Sequence, residues 1–294
     1  MPLGPRLDLL DPREVAQLGG IEITAAGVVE GFLAGLHRSP FRGFSVEFTE
    51  HRAYQPGDEL RYLDWRILGR TDRPYVKQFE EETNLRAMIL VDVSRSMAWS
   101  GSPERLTKRA YADRLAAALA LLLLRQRDAT GLITFDDAVR QAVPPRVKSG
   151  QWHRIIRGLL DTPDGQGTAA HEALRQVTAR LARRGMVILI SDLLFDRSLA
   201  FTALRYLRHR GHQVTVLHLL DPAEVELAGP PEVRYQDLES AGSVVVRPRE
   251  LARTYGETVR REIAAWRSAC RRHEIAYHHV TTDQPFGVAL RRLA

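Results

Sequence analysis

Asp92, Ser94 and Ser96 stand two residues apart in the stretch VDVSRSM (91–97), directly after the apolar run Ala87-Met88-Ile89-Leu90. Along an extended loop, a spacing of two points side chains the same way. One carboxylate and two hydroxyls can therefore share a side at the end of a buried strand. A second carboxylate, Asp192, follows the apolar run of MVILIS (186–191), and Thr168 stands between Gly167 and a helical pattern. Together these are two carboxylates and three hydroxyls, with no sulfur and no imidazole. Hard oxygen donors of this kind suit Mg2+, Mn2+ or Ca2+ rather than zinc. With few charged ligands, such an ion would keep an open position that a carboxylate from a partner protein can fill.

A structural reading competes at each position. Hydroxyls after a strand cap the following helix, Thr is a good N-cap, and Thr162 lies in a loop similar to that of Thr168. A carboxylate such as Asp192, placed just beyond a buried run, needs a partner. Asp196, four residues on, reads as the cap of the next helix. His278 and His279 are adjacent on an expected strand, so their side chains face opposite ways and do not chelate one ion together.

The elements that must position these groups begin near Arg86. AMILVDV, TGLITF, MVILIS, QVTVLHLL and IAYHHVT are short apolar runs. Helical patterns lie between them, over roughly 104–126, 150–160, 169–183, 197–209 and 249–272. Nearly continuous apolar strands belong in a sheet covered on both faces. Strand–helix alternation predicts a parallel, doubly wound α/β sheet. Ligands in such sheets bind at the carboxyl ends of strands where the strand order reverses, and the strands ending in Asp92 and Asp192 are expected to be neighbours there. Residues 221–248 are rich in proline and glycine and read as an inserted surface loop or hairpin. Leu115–Leu124 reads as a helix buried on most sides, at about half the length that spanning a bilayer requires.

The chain has 294 residues, with 44% apolar and 27% charged, as in ordinary soluble globular proteins. The single cysteine, Cys270, excludes an intramolecular disulfide and fits a reducing cytoplasm. No signal peptide or transmembrane run is evident. The formal charge of +6 and pI near 9.7 invite nucleic acid. The arginines, however, are scattered among acidic neighbours, so a solvated basic surface is expected and no nucleic-acid partner.

Residues 1–85 differ from the rest. Helical patterns run to about Arg38. Residues 41–85 mix short Phe-, Tyr- and Val-rich runs with charges and read as about three short strands. Within them stands Arg52-x-Tyr54-x-Pro56-Gly57-Asp58-x-x-Arg61-x-x-Asp64-Trp65. Pro-Gly-Asp makes a turn, Arg61 and Asp64 suit an ion pair, and Trp65 suits packing. The same residues equally suit a docking surface.

This signature resembles that of the bacterial domain of unknown function 58 family. Asp92-x-Ser94-x-Ser96, Thr168 and Ser191-Asp192 resemble the metal-ion-dependent adhesion site of von Willebrand factor A domains. The resemblance implies a von Willebrand factor A-like domain over residues 86–294, preceded by a family-specific segment over 1–85. It implies a bound Mg2+ (or Mn2+ or Ca2+) at Asp92, Ser94, Ser96, Thr168 and Asp192. It also implies a cytoplasmic, non-enzymatic adaptor or co-chaperone whose partner is a MoxR-type AAA+ ATPase or its client, with Arg52, Tyr54, Asp58, Arg61, Asp64 and Trp65 as a partner-binding surface. Arg95 departs from the small residue that most bacterial versions place between the serines.

The alternative function is a Mg2+-dependent hydrolase such as a phosphoesterase, since an ion between carboxylates polarises a phosphoryl oxygen. No base or nucleophile is evident beside the site. GxxxxGK[ST] and HExxH are absent, and GxGxxG is absent after the first strand. Neither ATP binding by a P-loop nor dinucleotide binding is expected.

Overall fold

A computed structural model describes residues 21–22, 24–29, 47–54, 65–71, 74–80, 85–165, 170–181, 183–227, 231–236 and 242–292. Its centre is a six-stranded sheet. The strands are β3 (Arg86–Asp92), β4 (Ala129–Phe135), β5 (Val139–Arg146), β6 (Met186–Ser191), β7 (Gln213–Leu220) and β10 (Ala276–Thr281), in the spatial order β5-β4-β3-β6-β7-β10. All neighbours are parallel except β4 and β5. The order runs outward from β3 in both directions, so the switch point lies between β3 and β6, as expected for a doubly wound sheet.

The strands show why their sequences are almost unbroken apolar runs. Side chains alternate across the sheet. Ala87, Ile89 and Val91 of β3, with Ile188 and Ile190 of β6, enter one core. Met88 and Leu90, with Val187 and Leu189, enter the other. The first core is covered by α2 (Lys108–Arg125), α3 (Gln151–Leu160) and α8 (Phe286–Arg291). The second is covered by α4 (Ala170–Arg180), α5 (Arg197–His209) and α7 (Pro248–Arg272). Ile21, Ala25 and Val29, from the helical residues 21–22 and 24–29, join the first core. Helix α2 is thereby enclosed by more than the sheet, which accounts for its apolar Leu115–Leu124 run. Thr107 caps it by accepting from the Ala110 amide at 3.1 Å. No helix of the described residues is long and apolar enough to cross a membrane.

Three features differ from the sequence expectation. Strand β5, VRQAVPPR, is not among the expected strands. Alternating burial and two prolines weaken its pattern, and an antiparallel edge position tolerates them. The insertion over 221–248 does contain a hairpin, β8 (Val233–Gln236) with β9 (Ser243–Val246). Its beginning is not a surface loop, however: Asp221 is fully buried and caps the short helix α6 (Pro222–Val225) with a capping box. In the amino-terminal segment the described residues form two strands, β1 (Glu47–Ala53) and β2 (Tyr75–Glu80), joined antiparallel, and a helix, α1 (Trp65–Thr71), rather than three strands. Trp65, for which the sequence leaves packing and a docking surface equally open, is 65% exposed.

Candidate cation site at the switch point

Strands β3 and β6 pair in register up to Val91 and Ile190. The next residues, Asp92 and Ser191, are the last of their strands and therefore stand side by side. The Ser191 hydroxyl donates to Asp92 Oδ2 at 2.5 Å and in turn accepts from the Leu193 amide at 2.9 Å. Asp92 Oδ1 accepts from the Ser94 amide at 2.9 Å. That bond folds the chain so that the Ser94 and Ser96 hydroxyls come within 3.1 Å of each other. The short 3-10 turn Arg95–Ala98 continues the loop into α2. Neither serine side chain caps a helix: the turn has no side-chain cap bond, and Thr107 is the cap of α2. This removes the structural reading of Ser94 and Ser96 as helix caps.

Asp92 is 0% exposed, and its donors among the described residues, the Ser94 amide and the Ser191 hydroxyl, are neutral. Burial, followed by the nearby Asp192 charge, pushes its carboxyl up to about 6. A carboxylate so placed is short of positive charge. Asp192 differs. Its Oδ2 lies 2.8 Å from the Lys108 ammonium, and its Oδ1 accepts from the Leu194 amide at 3.2 Å. Lys108, also 0% exposed, reaches Glu224 of α6 as well. Burial pulls the lysine pKa down, but Asp192 and Glu224 outweigh it and hold the ammonium above its ordinary value. Glu224 is raised by burial in spite of Lys108. The Asp192 backbone carbonyl meets His218 Nε2 at 2.9 Å. A carbonyl only accepts, so Nε2 carries the proton and Nδ1 accepts from the Tyr277 hydroxyl at 2.6 Å. Burial, then the neighbouring His279, holds the imidazole down to about 3.

Of the five residues expected to share an ion, the structure thus brings together Asp92, Ser94, Ser96 and Asp192. Thr168 lies outside the described residues. Gly165, the last described residue before it, donates its amide to Val93 O at 2.6 Å. Thr162, the competing threonine, is bonded to Gly158 O and Thr134 Oγ1, away from this cluster. Asp58, Arg61 and Asp64 of the amino-terminal signature are also outside the described residues. Arg52 pairs opposite Val76 in the β1–β2 ribbon, and the Tyr54 amide donates to Pro74 O. As expected, Asp196 caps α5 through the Ser198 and Leu199 amides.

The residues that sequence reasoning missed are Lys108, Ser191 as a donor, Glu224 and His218. Lys108 carried a signal. It stands on the same helical face as Tyr111, Ala112 and Leu115, all buried, and a charge on an apolar face implies a buried counter-charge. Glu224 carried none, because it lies in the stretch that reads as an exposed insertion.

The donors at Asp92 fit a hard divalent cation in kind, being oxygen throughout, and the buried, unpaired charge of Asp92 fits one in sign. Among the described residues no three carboxylates, imidazoles or thiolates converge as a cage. Any such ion would take hydroxyls and water for most of its shell. Asp192, already paired to Lys108, fits a role through water better than a direct bond.

The topology is that of a doubly wound, mostly parallel α/β protein. The chain belongs to the family described as "Protein of unknown function DUF58", whose model matches residues 50–265. It is 32% identical over 245 residues to uncharacterised proteins of Mycobacterium bovis and Mycobacterium tuberculosis, covering 80% of this chain and 74% of theirs. Its structure is similar to that of a conserved hypothetical protein, BatB, from Bacteroides thetaiotaomicron, with 18% identity and a TM-score of 0.46 over 71% of this chain and 97% of that one. It is also similar to the SpRpn10 VWA domain, with 11% identity and a TM-score of 0.43 over 71% of this chain and 95% of that one.

Proposed function

We propose that the protein is a non-enzymatic, cation-dependent protein-interaction module of the cytoplasm. Asp92, Ser94, Ser96 and Thr168 would hold Mg2+, or Mn2+ or Ca2+, with Asp192 acting through water. The observation that carries this reading is the fully buried Asp92, with no cationic partner among the described residues, beside the converging Ser94 and Ser96 hydroxyls. A bound ion would supply an electrophilic position for a partner's Asp or Glu. The chain's own residues do the rest. Ser191 and the Ser94 amide orient Asp92, and Lys108 compensates Asp192 and so limits the negative charge an ion would meet. The partner we propose is a MoxR-type AAA+ ATPase or its client, for which this chain serves as adaptor or co-chaperone. The hydrolase alternative gains no support from the imidazole bonded at Asp192 among the described residues, because both nitrogens of His218 are engaged.

The test is Mg2+ titration by calorimetry on the wild type and on Asp92→Ala, followed by pull-down of a MoxR-type ATPase in Mg2+ and in chelator. Saturable binding lost in the variant, with capture lost in chelator, is the expected result. Equal capture in both buffers and by the variant would remove the cation from the mechanism.

A further inference from the structure

The Asp92–Ser96 turn has two sides. Ser94 and Ser96 direct their hydroxyls at each other, whereas Arg95 between them is exposed and lines a separate groove of about 470 Å3. Trp99, Ser100, Ser102 and Arg105 line it too. Among the described residues its lining is of one sign, with two guanidiniums and no carboxylate.

The two arginines are differently prepared. Arg105 is braced from behind: its Nη2 lies 3.1 Å from Oδ1 of the fully buried Asp221, whose Oδ2 accepts from the Thr282 hydroxyl at 3.0 Å. Arg105 Nε is buried with no hydrogen-bond partner. Among the described residues no carboxylate forms an ion pair with Arg95. One guanidinium braced from behind, one exposed guanidinium with no ion-pair partner among the described residues, and two serines therefore surround an open space beside the candidate cation site. Arginine forks match carboxylates in geometry as well as in charge.

We propose that this groove receives a carboxylate side chain from an acidic segment of a protein partner, a second acid next to the one offered to the cation. The first acid rests on the function proposed above; the groove's own charge does not depend on a cation. Nucleic acid fits less well. A polyphosphate chain carries one charge about every few ångströms, more than two guanidiniums can match, whereas a peptide can place two isolated acids.

The probe is an array of Gly/Ser peptides carrying no Glu, one Glu, or two Glu at increasing separations. It is exposed to the full chain as wild type, Arg95→Gln, Arg95→Glu and Asp92→Asn, in Mg2+ and in EDTA, with affinities then measured by fluorescence anisotropy. Circular dichroism melts verify folding, and Arg95 is exposed, so its variants should fold. The expected result is one two-Glu spacing that binds the wild type about tenfold tighter than one Glu. That preference should vanish in Arg95→Gln and Arg95→Glu while their Mg2+ titration persists.

Equal binding of one- and two-Glu peptides in Mg2+ would overturn the groove and leave the cation reading standing. A two-Glu preference that survives EDTA and Asp92→Asn would support the groove and remove the cation. No binding of any Glu peptide, or tighter Arg95-dependent binding of oligo-dT, would overturn the inference.

Discussion

The Lys108 ammonium lies 2.8 Å from Asp192 Oδ2, although the two residues are 84 positions apart and both side chains are closed to solvent. The pair ties the start of α2 to the end of β6, and through Glu224 it also holds α6. Breaking one partner of a buried pair leaves uncompensated charge. Lys108→Met is therefore expected to cost roughly 3–5 kcal/mol in urea denaturation, with much of that recovered in Lys108→Met/Asp192→Asn/Glu224→Gln. A loss below about 1 kcal/mol in the single variant would show that the three groups are not coupled as described.

Gly165 has no room for a side chain. A Cβ there would fall 2.4 Å from Asp136 Oδ2 and 2.8 Å from Val93 O. Gly165→Ala should destabilise the fold by about 1–3 kcal/mol. It should also weaken Mg2+ binding more than an alanine at exposed Gly69, because the loop leading to Thr168 is pinned at this contact. Calorimetry on both variants makes the comparison, and equal affinities would uncouple this contact from the site.

Asp113 gives a pH dependence of definite sign. Burial pushes its carboxyl up to about 6, against the pull of Arg109, whose Nε lies 2.9 Å away. Between the ordinary aspartate value and about 6, the folded chain holds this proton and the unfolded chain does not. The contribution is fully present below the ordinary value and is lost as pH rises through about 6. Thermal melts across that interval should show a negative slope from this group, on the order of 3 kcal/mol in all. Asp113→Asn should remove it; an unchanged slope in the variant would assign the titration elsewhere.

Cys270 is fully buried, and burial pushes its thiol up to about 12. Thiolate is the reactive form. Native protein should therefore be silent to Ellman's reagent and release one thiol equivalent after denaturation in guanidinium. Rapid labelling of the native protein would mean that the α7 face opens locally.

The strands of the α/β unit were legible because burial on both faces forces an unbroken apolar run, as in MVILIS and AMILV. Asp92 and Asp192 were legible because a carboxylate directly after such a run has few places to go. β5 was not, since an edge strand tolerates proline and polar residues. Nor was α6: the Pro and Gly that open the insertion look the same whether the chain goes out to solvent or first turns back to bury Asp221.

The sequence by itself determined the doubly wound architecture, the position of the VDVSRSM turn at a strand end and the oxygen character of its donors, because these depend on local pattern and residue type. Only the tertiary structure decided how the charges are shared. Lys108 reaches Asp192 and Glu224 across separations of 84 and 116 residues, while Asp92, bonded to the Ser191 hydroxyl beside it, has no cationic partner among the described residues. Pairing over such distances depends on which helix covers which strand end, and that is settled by the packing of the whole sheet, not by any one segment.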